Sequence, residues 1–302
     1  MDPIRFDNRV ALVTGAGKGL GRAYALLLAE RGAKVVVNNR KREPEGTPGS
    51  ADLVVEEIRA AGGEAVADHH SVESWEAGQA MVQTALDNFG GLDILINNAG
   101  IDQHAALHNT PIEDFERIFA VSFYGGLYAT KAALPAMRDA GHGRILFTTS
   151  SAGLYGQHGL SSYSAAKAGI IGLMRAVSQE GASRNILANA LAPYAHTQMT
   201  EAHAQHFPDR LLGPELVAPL AVWLVSDACP VSGEIYVAGT GHFGRAQMVE
   251  NHGVKLPTDG PISPEDVAAR FDDIRDMTET TSFKDAVASF MATTEPVSSK
   301  QA

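Results

Sequence analysis

Tyr163-Ser164-Ala165-Ala166-Lys167 sets a phenol and an ammonium four residues apart. On a helix that spacing puts both on one face, one turn from each other. A free phenol is a poor base at neutral pH, its pKa being about 10. A neighbouring ammonium stabilises the phenolate, so Lys167 is expected to lower the pKa of Tyr163. The phenol can then exchange a proton with a secondary alcohol or a carbonyl oxygen. Ser150 ends an expected strand upstream, and its hydroxyl can hold the same oxygen from the other side. Tyr-x-x-x-Lys alone is common on helix surfaces; its weight comes from Ser150 and from a glycine turn near the N-terminus.

That turn is Thr14-Gly15-Ala16-Gly17-Lys18-Gly19-Leu20-Gly21, between a strand and a helix. Glycines allow a tight turn and a close approach of a pyrophosphate, and the helix N-terminus supplies free N–H groups. Gly15, Lys18, Gly19 and Leu20 are therefore candidate dinucleotide-binding residues. An acid about 20 residues on would normally accept the adenosine ribose hydroxyls; here Asn39 stands there, followed by Arg40, Lys41 and Arg42. Asn does not repel a 2′-phosphate and Arg can clamp one, so the chemistry leans towards NADP(H). NAD(H) stays open, because Asn39 can also bond an unphosphorylated ribose and the basic run can be a solvated loop edge.

Apolar runs separated by helical spacing supply the frame. Strands are expected at Val10–Val13, Lys34–Asn38, Ala65–Asp68, Asp93–Asn97, Arg144–Thr148, Ile186–Leu191 and Ile235–Ala238. Helices are expected at Leu20–Glu30, Leu53–Ala61, Ser74–Phe89, Ile112–Met137 and Tyr163–Gly181. Alternation of this kind with unbroken apolar strands implies an α/β, doubly wound Rossmann-like fold around a parallel sheet. Residues 41–50 read as an exposed loop. No linker divides residues 1–240; residues 241–302 read as a C-terminal helical extension packed on the domain or on a dimer partner. Ser263-Pro264-Glu265-Asp266 is a helix start, with Val267, Phe271, Ile274 and Met277 on one face. A second helix is expected near Ser282, with Phe283, Val287, Phe290 and Met291 on one face.

The chain has 302 residues, 45 % of them apolar, and 24 basic against 35 acidic side chains, a net charge of −11. That balance argues against nucleic acid as a partner. No apolar run approaches the roughly 20 residues of a membrane span, and no signal-peptide core opens the chain. One cysteine, Cys229, cannot form an intrachain disulfide and reads as a structural or surface thiol. A cytoplasmic location is the expectation. His203 and His206 stand at a metal-ligand spacing with no carboxylate or Cys to complete a site, so no metal is expected.

Thr14–Gly21, Asn97-Asn98-Ala99-Gly100, Ser150 and Tyr163–Lys167, in this order, resemble the motif set of the short-chain dehydrogenase/reductase family over about residues 6–240. The resemblance implies a seven-stranded parallel sheet and NAD(P)-dependent interconversion of an alcohol and a carbonyl. It implies that Tyr163 is the acid/base, that Ser150 positions the reacting oxygen, and that Lys167 binds the nicotinamide ribose. It puts Asn97, Ala99 and Gly100 along the cofactor cleft, His70 and Ser71 beside the adenine, and Pro193 and Thr197 beside the carboxamide. Two positions depart from the family. Ser122 occupies the place of an Asn that often holds a proton-relay water, and His70 stands where Asp is often found.

Gly19–Ala25, Thr149–Gly156, Val217–Leu220 and Gly239–Gly244 are further similar to a branch of (3R)-hydroxyacyl-CoA dehydrogenase units, in which the extension belongs to a dimer and the cofactor is NAD. A homodimer or homotetramer is the implied assembly and a small molecule the implied partner. The segment Gln198–Gly213 reads as a lid with Arg210, His203, His206 and Phe207; Tyr194 and His196 precede it, and Tyr155 and His158 are expected on the other wall. An aromatic and imidazole pocket suits a cyclic or steroid-like alcohol as well as a thioester. Two other readings stay open: a non-catalytic NAD(P)-binding sensor or scaffold, and an epimerase on the same fold.

Overall fold

The computed structural model describes residues 3–40, 44, 47–195 and 212–294. They form two compact units, Met1–Arg245 and Ala246–Ala302. In the first, the strands β1 (Val10–Val13), β2 (Lys34–Asn38), β3 (Glu64–Asp68), β4 (Ile94–Asn97), β5 (Gly143–Thr148), β6 (Ile186–Tyr194) and β7 (Ile235–Gly239) run parallel in the order 3-2-1-4-5-6-7. An eighth strand, β8 (His242–Ala246), extends the edge beyond β7. Thr240 and Gly241, both with positive φ, make the two-residue turn that folds it back. The sheet thus takes in residues that the sequence reading gave to the start of the C-terminal extension.

β1, β4 and β5 are buried along their whole length, which is why each carries a run of consecutive apolar residues, Val10–Val13, Ile94–Ile96 and Ile145–Phe147, rather than an alternating pattern. The helices α1 (Gly19–Glu30), α2 (Ser50–Ala60), α3 (Trp75–Phe89), α4 (Ile112–Phe119), α5 (Gly125–Ala140), α6 (Ser151–Tyr155), α7 (Ser161–Gly181) and α8 (Ala218–Leu224) connect the strands. The expected helix over Ile112–Met137 is two helices joined by a π turn at Ala120–Tyr124. α6 and α8 have no counterpart in the sequence reading. The order of the strands reverses between β1 and β4, and ligands of open parallel sheets bind at the carboxyl ends of such strands.

The opposite ends of the strands carry a charged cluster. Arg9 donates to Asp93 at 2.9 Å and to Asp227 at 2.8 Å. Arg144 donates to the carbonyls of Gly143, Asn185 and Ser226 and lies 3.8 Å from Asp227. Arg144 is buried, so its removal empties a buried site and takes a donor from three carbonyls, of which those of Asn185 and Ser226 keep a backbone amide. Arg144→Ala is expected to lower stability by about 2–4 kcal/mol, measured by urea unfolding, while dinucleotide affinity is unchanged.

The second unit pairs β9 (Glu250–Asn251) with β10 (Thr280–Thr281) antiparallel. Asn251 Nδ2 donates to the carbonyls of Ile274 and Asp276, closing the loop between the strands. α9 (Pro264–Ala269) starts at the expected capping box: the Ser263 hydroxyl accepts from Asp266 N, and the Asp266 carboxylate from Ser263 N. α10 (Phe271–Arg275) and α11 (Ala286–Thr294) follow. None of the three helices has a buried residue, and Phe271, Met277, Val287, Phe290 and Met291 are all more than half exposed.

Candidate active site

A cleft of about 690 Å³ opens at the carboxyl ends of the strands. At one end stands the glycine turn. Gly15 has φ +63°, and a Cβ there would lie 2.9 Å from Ala99 Cα. A Cβ at Gly17 would lie 2.4 Å from Ser50 Oγ, and one at Gly21 2.4 Å from the Gly15 carbonyl. Side chains at these positions would fill the cradle. Asn98 Nδ2 donates to the carbonyls of Thr14 and Gly15, and Thr14 Oγ1 accepts from the amides of Asn98 and Ala99, so the loop after β4 clamps the turn.

Lys18 is the N-cap of α1 and gives no side-chain cap, and the first turn holds no acid. The leading amides of a twelve-residue helix are left for an anion. The donor set and the bare turn therefore fit the pyrophosphate of a dinucleotide.

At the far side of β2, Asn39 Nδ2 donates to Ser50 Oγ at 2.6 Å, and Arg40 Nη1 lies 3.3 Å from Glu73 Oε2. His70 Nδ1 sits 2.9 Å from the buried Asp68 carboxylate, which also accepts from Asn38 Nδ2 and Thr84 Oγ1. Asn39, Arg40, His70 and Ser71 all line the cleft.

The other end holds Ser150, Tyr163 and Lys167. Ser150 caps α6, its Oγ accepting from Ala152 N at 3.2 Å. Tyr163 and Lys167 share a face of α7. The two helices touch closely: a Cβ on Gly153 would lie 2.8 Å from the Lys167 carbonyl carbon, and Thr149 Oγ1 donates to the Lys167 carbonyl. This contact sets the phenol beside the Ser150 hydroxyl, which favours the phenolate.

Lys167 Nζ donates to the Thr148 carbonyl at 2.7 Å and lies 5.7 Å from the Tyr163 ring centroid. Burial pushes the Tyr163 phenol up to about 12, opposed by the nearby Ser150 hydroxyl and reinforced by the Asp102 carboxylate. Burial pulls the Lys167 ammonium down to about 8. The expected lowering of the phenol is not found. The ammonium is directed at a backbone carbonyl rather than at the phenol oxygen, and enclosure outweighs its pull.

Gly15, Lys18, Gly19, Leu20, Ala99, Gly100 and Pro193 also line the cleft. Asn97 does not: at the buried end of β4 its Nδ2 donates to Thr130 Oγ1 at 2.9 Å. The Ser122 hydroxyl, in the π turn, donates to the Ile101 carbonyl and accepts from the Ile101 amide. It is engaged in fixing the loop after β4 rather than presented to the cleft as a relay group. Tyr155 and His158 are exposed and do not line the cleft; Gln157 and Leu160 do. Thr197, His196, His203, His206, Phe207, Arg210, Lys41 and Arg42 lie outside the described residues. Sequence reasoning did not pick out Asp102, His104 or Glu73, all cleft residues. Cys229 is buried and its thiol is pushed up by burial, as suits a structural thiol. Among the described residues no helix is long and apolar enough to cross a membrane.

The family model described as "short chain dehydrogenase" matches residues 9–208. Peroxisomal multifunctional enzyme type 2 of Mus musculus is 43 % identical over 278 residues, covering 91 % of this chain and 37 % of the relative. A crystal structure of a short chain dehydrogenase from Mycobacterium avium superposes with a TM-score of 0.80 at 40 % identity, covering 89 % of this chain and 95 % of that one. Full-length peroxisomal multifunctional enzyme type 2 from Drosophila melanogaster gives a TM-score of 0.82 at 38 % identity, covering 96 % of this chain and 49 % of that one. The chain spans less than half the length of these multifunctional relatives.

Proposed function

The chain belongs to the short-chain dehydrogenase/reductase family, whose members are NAD(P)-dependent oxidoreductases, and from that premise we propose that it interconverts a secondary alcohol and a ketone in the cleft between the glycine turn and Tyr163. The observation that carries the reading is the convergence of Ser150, Tyr163 and Lys167 on the same cleft as the bare turn at Gly15–Gly21. When bound, the nicotinamide supplies the hydride acceptor or donor. Tyr163 takes the hydroxyl proton in the oxidative direction and returns it in the reductive one. Ser150, on the same cleft wall as the phenol, holds the substrate oxygen beside it. Lys167, next to Gly100 and deep in the cleft, holds the nicotinamide ribose and gives the phenolate a nearby positive charge.

The cofactor assignment at this level is NADP(H) ahead of NAD(H), supported by Asn39 in place of a carboxylate and by Arg40 on the cleft wall. The substrate assignment is a 3-hydroxyacyl-CoA, favoured by the resemblance, or a compact cyclic alcohol, favoured by Leu160 and Tyr194 at the cleft. A panel of (3R)-hydroxyacyl-CoA esters and cyclic alcohols run with both cofactors tests the reading. Cofactor reduction by at least one class is the expected result; tight cofactor binding with no turnover across the panel would leave a binding protein only.

The assembly assignment is a homodimer or homotetramer in the cytoplasm. It is supported by the exposed apolar side chains of the second unit and, for the compartment, by the single buried thiol. Deleting residues 259–302 is expected to lower the mass in solution, read by light scattering. An unchanged mass with unchanged kinetics would remove the tail from any interface.

A further inference from the structure

Arg40 and Asn39 are the residues that read the adenosine ribose in the function proposed above, yet Arg40 is not unengaged. Its Nη1 lies 3.3 Å from Glu73 Oε2, and Ser71 Oγ donates to that same oxygen at 2.7 Å. Arg40, Ser71 and Glu73 all line the cleft. Glu73 comes from the loop between β3 and α3, immediately before the α3 N-cap Ser74, so its backbone is anchored by a helix start. The carboxylate is a fixed feature of the wall rather than a passing surface partner.

Resting on that reading, we infer that Glu73 sets the choice between NADP(H) and NAD(H) by competing with the 2′-phosphate for the Arg40 guanidinium. A phosphate entering beside Asn39 needs the donors of Arg40, one of which, Nη1, Glu73 already engages, and it meets a carboxylate of its own sign beside the guanidinium. An unphosphorylated ribose asks nothing of Arg40 and is indifferent to the pair. Glu73 therefore discriminates against the phosphorylated cofactor alone, and it does so through Arg40. The pair is partly exposed, so the competition is modest and can be released by one substitution.

Titration of wild type, Glu73→Gln, Arg40→Ala and the double variant with NADPH and NADH, by nucleotide fluorescence and calorimetry, tests this without any substrate. Glu73→Gln is expected to lower the Kd for NADPH about fivefold, with the Kd for NADH changed less than twofold. In the Arg40→Ala background the same substitution is expected to have less than half that effect. Ser71→Ala, which frees the carboxylate from its second donor and leaves it wholly to Arg40, is expected to move the NADPH/NADH ratio in the opposite direction by a smaller factor. An unchanged ratio in Glu73→Gln, or the full fivefold effect without Arg40, overturns the inference while leaving dinucleotide binding in place. Failure of the wild-type protein to bind either nucleotide overturns the function proposed above, and this inference with it.

Discussion

Tyr163→Phe is expected to lower kcat by at least about a hundredfold while the fold and the NAD(P)H affinity survive. Phe fills the volume of the phenol, and the Ser150 hydroxyl keeps its bond from Ala152 N. The loss is therefore chemical rather than structural, and it should appear in kcat more than in the dinucleotide Kd. The same geometry gives a pH signature. Burial holds the phenol protonated up to about 12, so the base form is scarce near neutrality. Oxidation of the alcohol needs that base form and should speed up steadily as pH rises from 7 to 10. Reduction of the ketone needs the protonated form, which is abundant throughout, and should change far less over the same range. The asymmetry between directions should vanish in the residual activity of the Phe variant. Retention of the wild-type pH slope, or of more than a tenth of the wild-type kcat, would take the proton-transfer role away from Tyr163.

What could be read before any coordinates depended on whether the interaction was local. The i, i+4 spacing of Tyr163 and Lys167 is a property of one helix, and the glycine pattern is a property of one turn; both stand where the spacing puts them. The parallel sheet was equally legible, because strands buried on both faces announce themselves as continuous apolar runs such as Ile94-Leu95-Ile96. β8 was not, since His242-Phe243-Gly244-Arg245-Ala246 is an exposed edge with no apolar run to signal it. α6 and α8 are five and seven residues long, too short for a helical period to rise above noise.

The parts of the cleft that escaped the sequence are those made by residues far apart in the chain. Asn97 belongs to a motif that suggests a cleft residue, but the α5 residue Thr130, 33 positions on, draws its amide inwards. Arg40 and Glu73 are likewise 33 positions apart, and nothing local to either marks the other as its partner. The charge state of Tyr163 fails for the same reason. Adjacency to Lys167 is visible in the sequence, whereas burial is a sum over the whole fold, and burial is the larger influence on both groups.

Lys167→Met should expose this opposition between function and stability. A buried ammonium with its pKa lowered from 10.5 to about 8 is a group whose charged form folding disfavours. The resulting penalty is fully present below about pH 8, shrinks between 8 and 10.5, and is absent above 10.5, where the lysine is neutral in both folded and unfolded chains. The shift corresponds to about 3 kcal/mol, part of which is offset in the variant because the Thr148 carbonyl loses its donor. Without cofactor, the Met variant is therefore expected to be more stable than wild type by about 1–2 kcal/mol at pH 7, and this advantage should be gone by pH 10.5. Its NAD(P)H affinity should fall at least about tenfold and its kcat at least about a hundredfold, since the ammonium that holds the ribose and favours the phenolate is missing. Urea unfolding at pH 7 and pH 10.5, beside nucleotide titration, separates the two effects. A variant no more stable than wild type at pH 7, or one that binds nucleotide normally, would show that the lysine is kept at this depth for packing and not for the charge it carries.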